Sequence, residues 1–170
     1  GPGDPELLTV KAANALRRAT LVLYDNLVSK AVLELVPASA DRVYVGKVSG
    51  HHSLSQTGII ELMVRLAKGG RRLLRLKGGD PYVFGRGGEE AQGLVAAGIP
   101  FDVIPGISAA QGAAAASGIP LTHRDHAEAL VLATGHLRGE ADARTVDLDW
   151  VQLARPRQTV VIYMGVATLP

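Results

Sequence analysis

Two charged residues of this chain stand where acid–base chemistry is often done, at the ends of apolar segments. Asp25 follows the apolar run at residues 21–24, and Lys47 follows the run at residues 43–45. If the two runs are neighbouring strands, both side chains lie at one rim of a sheet, where they could act as base and acid. A carboxylate that leaves a buried strand can instead cap the next helix, so both interpretations of Asp25 remain open here.

A glycine-rich segment at residues 75–91 carries the strongest functional signal. Its apolar run ends at Gly78-Gly79 and passes through Asp80 before a predicted helix begins near Glu89. Glycine has no Cβ to hold a ligand away from the backbone, and it adopts positive φ without steric cost. In open α/β sheets, small molecules bind at loops that follow the carboxyl ends of strands. The segment therefore predicts a ligand-binding loop, with a tight strand-to-helix turn as the alternative.

The composition indicates a globular protein of the cytoplasm. The chain has 170 residues, of which 47% are hydrophobic and 20% charged, and no apolar run is long enough to span a membrane. The absence of cysteine excludes disulfides and thiolate catalysis and fits a cytoplasmic enzyme. A net charge of +2 does not require a nucleic-acid partner, and the basic clusters suit a small polyanionic ligand. The five histidines lack the spacing of metal ligands, so we predict no metal site.

Alternating apolar runs and amphipathic segments predict a doubly wound α/β fold with parallel strands. Strands are predicted at residues 21–24, 43–45, 72–76, 101–104, 129–133 and 159–163, and helices at residues 7–19, 59–67, 89–97 and 109–116. Asp4 is a good N-cap for the first helix, and Ser53 or Ser55 for the second. We place a domain boundary near Asp125, between an N-terminal α/β domain at residues 1–125 and the start of a second at residues 126–170. Both ends of the chain look cut, so we expect it to be a piece of a longer protein.

Taken together, the motifs resemble those of the tetrapyrrole methylases, most closely the members that methylate uroporphyrinogen III. The similar stretches lie at residues 1–9, 24–28, 45–47, 75–91, 105–109, 118–125, 134–136 and 163–165. The glycine-rich segment and the run Gly-Ile-Pro-Leu-Thr-His-Arg-Asp at residues 118–125 are the most specific of them.

The resemblance implies two α/β domains with a ligand cleft between them, a homodimer, and S-adenosyl-L-methionine as the methyl donor, which leaves as S-adenosyl-L-homocysteine. By position, the family's proton acceptor corresponds to Asp25 and its proton donor to Lys47. The residues that correspond to its cofactor contacts are Pro2, Gly78, Gly79, Asp80, Val83, Ser108, Ala109 and Met164.

The implied reaction is the C-methylation of uroporphyrinogen III, twice, to precorrin-2, which feeds sirohaem and cobalamin synthesis. Two alternatives remain open. The chain could belong to a methyltransferase of the same fold that acts on a later corrin precursor or another acceptor, or it could be a nucleotide-binding module without catalysis.

Overall fold

The computed structural model describes residues 1–46, 54–135 and 148–166. It contains two compact units, residues 1–112 and residues 113–170. The division between the two units lies after residue 112 and not near Asp125. The domain boundary near Asp125 stays a prediction.

The first unit is built on a three-stranded parallel sheet with the strand order β2-β1-β3. The strands are β1 (Leu21–Tyr24), β2 (Asp41–Tyr44) and β3 (Leu74–Leu76). Tyr24 pairs with Tyr44 on one side and with Leu76 on the other. All three strands therefore end at the same edge of the sheet, as the sequence predicts for β1 and β2.

The helices cover both faces of this sheet, because the side chains of β1 alternate between two apolar clusters. Leu21 and Leu23 pack with residues of α3 (Gln56–Lys68) and α4 (Gly87–Ala96), while Val22 packs with residues of α1 (Val10–Arg17) and α2 (Lys30–Leu33). All three side chains are at most 2% exposed, which is typical of a parallel strand buried on both faces. A fifth helix, α5 (Ala109–Ser117), follows along the chain.

Side-chain caps set where these helices begin. Asp4 caps a short 3-10 helix, Pro5–Leu7, and not the first α-helix as predicted. Thr9 caps α1, so the helix predicted at residues 7–19 is shorter and begins at Val10. The Ser55 side chain accepts a hydrogen bond from the Gly58 backbone N–H at 3.1 Å, which confirms the Ser55 alternative for α3.

The strand predicted at residues 101–104 is wrong, since that segment forms no strand in the structure. Pro100 and Pro105 flank it, and neither can donate a backbone N–H to a sheet. The backbone groups of Pro105 and Gly106, which follow this segment, form hydrogen bonds outside any sheet. The Pro105 carbonyl accepts from the Thr9 hydroxyl at 3.3 Å, and the Gly106 N–H donates to the Asp80 carboxylate at 2.9 Å.

The second unit contains a parallel pair, β4 (Ala129–Thr134) and β5 (Gln158–Tyr163), and a short helix α6 (Trp150–Leu153). The two strands pair over their full length, from Ala129 with Gln158 to Thr134 with Tyr163. Both were predicted, because each is an uninterrupted apolar run. Among the described residues, none of the helices has the length and apolar character needed to cross a bilayer.

Candidate functional site

Asp25 lies at the sheet edge, directly after β1, and each of its carboxylate oxygens has a partner. Oδ1 accepts the Leu27 backbone N–H at 3.1 Å, and Oδ2 accepts from Nη2 of Arg75 at 2.9 Å. The next helix, α2, is capped by Ser29, whose hydroxyl accepts the Val32 N–H at 3.3 Å. Asp25 therefore does not have the helix-capping role that the sequence left open.

Arg75 lies within β3, and its guanidinium joins three parts of the first unit. Nη2 donates to Asp25, Nε donates to Oε1 of Glu90 on α4 at 3.2 Å, and Nη1 donates to the Leu76 carbonyl at 2.7 Å. The Arg75 side chain is only 9% exposed. Its planar, rigid fork is thus fixed by acceptors on all three nitrogens.

Glu90 is the most buried charged residue among those that the structure describes, at 4% exposure. Its Oε1 accepts from Arg75, from Nζ of Lys77 at 3.1 Å and from Nε2 of Gln56 at 3.3 Å. A buried carboxylate needs such partners, because an unpaired charge in the protein interior is costly.

Lys77 is the second cation on Glu90, and burial lowers the pKa of its ammonium. The positive charge of Arg75 lowers this pKa further, while Glu90 and Asp25 oppose the shift. Asp25, Arg75, Glu90 and Lys77 form one group, which we call the charged network. The network was not predicted, although the sequence carries a signal for it: Arg75 is a charged residue inside an apolar strand, between Leu74 and Leu76.

The predicted ligand loop follows β3 and has the backbone geometry that its glycines suggest. Gly79 has φ +66°, in the left-handed region, and its N–H donates to the Gly1 carbonyl at 2.8 Å. A Cβ added to Gly79 would lie 3.8 Å from the Cα of Ser108. A Cβ added to Gly106 would overlap the Gly79 carbonyl oxygen, so the two loops are in direct backbone contact.

Asp80 links these two loops. One carboxylate oxygen accepts the Gly106 N–H at 2.9 Å, and the other accepts the Tyr82 N–H at 2.8 Å. The Asp80 carbonyl accepts the Val83 N–H at 3.2 Å, which closes the turn. Asp80 thus has a structural role in shaping the loop, whatever else it contacts.

Two further elements of the first unit complete the surroundings of the loop. Pro2 packs on α5, since a Cβ added to Gly112 would lie 2.7 Å from the proline Cγ. Ser108 is 4% exposed and precedes α5, which begins at Ala109. The structure therefore brings Pro2, Gly78, Gly79, Asp80, Val83, Ser108 and Ala109 to neighbouring segments of one unit.

The turn that holds Asp25 lies against the ligand loop. A Cβ added to Gly78 would lie 3.1 Å from both the Cβ and the carbonyl oxygen of Leu27. The same turn also lies close to Gly46, since a Cβ added to Gly46 would lie 3.0 Å from the Asn26 backbone nitrogen.

The two remaining predicted site residues are Lys47 and Met164. Lys47, the residue after Gly46, is outside the described residues. Met164 belongs to the second unit, where it has φ +56° and is 52% exposed.

The histidines show no metal cluster in the described part of the chain. No group of three or more His, Asp or Glu residues there could hold an ion. The rings of His123 and His126 stack with centroids 4.6 Å apart. His51, His52 and His136 lie outside the described residues.

Comparison with known proteins gives consistent matches. The family model of the Tetrapyrrole (Corrin/Porphyrin) Methylases matches residues 1–170. The siroheme synthase of Thioalkalivibrio sulfidiphilus is 58% identical over 170 residues, which cover all of this chain and 34% of that protein. The chain thus spans about a third of the length of the curated relatives that it matches.

Two solved structures are similar to this chain in fold. The uroporphyrin-III C-methyl transferase of Thermus thermophilus, complexed with S-adenyl homocysteine, is 43% identical with a TM-score of 0.74, over 98% of this chain and 68% of that one. A cobalt precorrin-4 methyltransferase is 26% identical with a TM-score of 0.76, over 97% of this chain and 66% of that one.

Proposed function

Because this chain belongs to the tetrapyrrole methylases, we propose that it is an S-adenosyl-L-methionine-dependent methyltransferase that acts on uroporphyrinogen III. The product is precorrin-2, formed by two methyl transfers to ring carbons, and the pathway leads to sirohaem or cobalamin. Sequence identity supports this acceptor, at 43% with the uroporphyrin-III enzyme against 26% with the precorrin-4 enzyme.

The observation that carries the proposal is the backbone geometry at Gly79. A left-handed glycine lies beside Ser108 and the start of α5, where an added Cβ would contact the Ser108 Cα at 3.8 Å. Because glycine leaves that space free of a side chain, a ligand can approach the backbone there. The residues that correspond to the family's cofactor contacts in this unit all lie on segments bordering that point. In our proposal, these segments bind S-adenosyl-L-methionine.

S-adenosyl-L-methionine supplies a methyl group on a positively charged sulfur, so the donor is already an activated electrophile. The protein then has to hold the acceptor carbon in line with the methyl–sulfur bond, and positioning of this kind can contribute about 7–11 kcal/mol in ideal cases. As the carbon–carbon bond forms, the sulfur–carbon bond breaks and its electron pair stays on sulfur. The ring becomes cationic and must lose a proton.

Asp25 is our proposed acceptor for that proton. It lies at the rim of the sheet, and its turn contacts Gly78 of the ligand loop through Leu27. The two hydrogen bonds that Asp25 accepts leave each oxygen a second lone pair, so the carboxylate can still take a proton. A carboxylate there also stabilises the positive charge of the ring before the proton leaves.

Three further parts of the proposal rest on the family resemblance. Lys47 acts as a proton donor, Met164 contacts the cofactor, and the protein is a homodimer. Light scattering at several protein concentrations checks the dimer.

The deciding experiment incubates full-length protein with methyl-labelled S-adenosyl-L-methionine and uroporphyrinogen III under anaerobic conditions. We expect two labelled methyl groups per ring and a product with the mass of precorrin-2. Later corrin precursors serve as the comparison set. Transfer to one of these instead would assign the enzyme to another step, and binding of S-adenosyl-L-homocysteine without transfer to any acceptor would favour the non-catalytic module.

A further inference from the structure

We propose that Arg75 is a positioning residue for Asp25, and that Glu90 holds Arg75 in place for this purpose. The inference rests on the proposed function, in which Asp25 accepts the proton of the methylated ring. It adds two residues that act through the Asp25 carboxylate rather than through the proposed cofactor contacts.

Three hydrogen bonds hold the guanidinium of Arg75 in one orientation. Arg75 cannot turn its guanidinium without breaking several bonds, because Nε is bound to Glu90, Nη1 to the Leu76 carbonyl and Nη2 to Asp25. Two of these acceptors lie on regular elements, α4 and β3. The bond from Nη2 therefore fixes Oδ2 of Asp25 relative to the sheet, while the Leu27 N–H fixes Oδ1.

The charged network contains two cations and two carboxylates, and its inner part is nearly sealed from water. Side-chain exposure is 5% for Glu90, 9% for Arg75 and 10% for Lys77, but 22% for Asp25. Burying such charges is expensive, and a well-packed apolar cluster often stabilises a fold equally well. Asp25 is the most exposed member, so the network leads outward from the core to the carboxylate at the rim.

The Arg75–Asp25 pair differs from an ordinary surface salt bridge of the same chain. Arg71 pairs with Asp41 at 2.6 Å, but those side chains are 47% and 64% exposed. Such a surface pair is free to reorganise and contributes little. The Arg75–Asp25 pair has the same chemistry in a buried, multiply bonded setting, which makes Arg71 a matched control for it.

The test is a double-mutant cycle on full-length protein, with kcat and KM for uroporphyrinogen III as readouts. Arg75→Lys keeps the positive charge but loses the planar guanidinium that makes several hydrogen bonds at once. We expect kcat to fall about 10- to 100-fold, with KM nearly unchanged, because small misplacements of a reacting group have effects of this size. The Arg71→Lys control should stay within about twofold of wild type.

The decisive comparison is with Asp25→Asn. If Arg75 acts through Asp25, the double variant Asp25→Asn/Arg75→Lys is no slower than Asp25→Asn alone, within about twofold. If the two losses multiply, Arg75 acts independently of Asp25 and the proposal is overturned. Circular dichroism and affinity for S-adenosyl-L-homocysteine report on folding, and Glu90→Gln replaces Arg75→Lys in the cycle if the latter does not fold.

A crystal structure of the Arg75→Lys variant decides the question independently of turnover. We expect the Asp25 carboxylate to leave its wild-type rotamer. An unmoved carboxylate would refute the positioning role even if the wild-type protein proved inactive on uroporphyrinogen III, so this failure differs from a failure of the proposed function.

Discussion

Asp25 has two partners of different kinds, and this difference defines what the residue can do. The Leu27 N–H belongs to its own turn, whereas the Arg75 guanidinium reaches it from a neighbouring strand. A carboxylate held in this way can act as a base only if its orientation suits the substrate, since both fixed bonds restrict its rotation. The chemical role of Asp25 is therefore tied to the charged network rather than to the residue alone.

Replacing Asp25 by Asn tests its role as proton acceptor. Asn keeps the size and the hydrogen bond from Leu27 but cannot take up a proton as a carboxylate does. We expect single-turnover methylation to slow by about 10²–10⁴-fold, the usual contribution of a positioned general base. Affinity for S-adenosyl-L-homocysteine, measured by calorimetry, should be unchanged, because the proposed contacts lie on other segments. Turnover close to wild type would show that positioning, not Asp25, accounts for catalysis.

The buried ammonium of Lys77 should make stability depend on pH. Below its lowered pKa, Lys77 is protonated in both folded and unfolded protein. Between that pKa and the ordinary value of 10.5, only the unfolded chain keeps the proton, so stability rises with pH in this window. Relative to Lys77→Met, wild-type protein should therefore gain free energy of unfolding as the pH approaches 10.5.

Urea unfolding of both proteins across this pH range measures the Lys77 effect. Other titrating groups are common to the two proteins and cancel in the difference. A difference that stays constant with pH would contradict the expectation.

At the level of elements, the sequence predicted the strand ends and the ligand loop but not the contacts between them. The loop could be predicted because Gly78-Gly79 follows closely on the predicted strand at residues 72–76, which is a local signal. The pairing of Asp25 with Arg75 spans 50 residues, and it exists only because β1 and β3 are neighbours with Tyr24 opposite Leu76. No local pattern encodes that register.

Two of the element-level errors have different physical causes. The segment Phe-Asp-Val-Ile at residues 101–104 predicts a strand, but prolines flank it and its neighbours bond to Thr9 and Asp80. Helix α2 was missed because four residues, Lys30–Leu33, are too few to show a helical period.

The ligand loop can be tested with a pair of valine substitutions. Gly79 and Gly70 both have positive φ, at +66° and +79°, so Gly79→Val and Gly70→Val impose similar backbone strain of about 1–3 kcal/mol. Gly70 follows α3, away from the loop. We expect both variants to lose stability, but only Gly79→Val to lose affinity for S-adenosyl-L-homocysteine, by calorimetry on full-length protein. Equal affinities would place the cofactor elsewhere.

At the scale of the whole molecule, the two units differ in how well their sheets are buried. The central strand β1 has Leu21, Val22 and Leu23 at most 2% exposed, with helices on both faces. In the second unit, Leu130 on β4 and Ile162 on β5 are 38% and 37% exposed. Parallel sheets are normally covered on both faces, and a two-stranded sheet by itself is marginal in water.

Hydrogen exchange on the 170-residue chain should reveal this difference. Backbone amides in a buried strand exchange only through large unfolding events, whereas those of a poorly covered strand exchange through smaller, more frequent openings. We therefore expect peptides covering β1 to exchange at least about tenfold more slowly than peptides covering β4 and β5, after correction for intrinsic rates. Mass spectrometry of the digested chain gives both rates in one experiment, and the unfolded chain in urea supplies the reference. Equal protection of the two sheets would mean that the chain unfolds as one cooperative unit, in spite of the exposed strands of its second half.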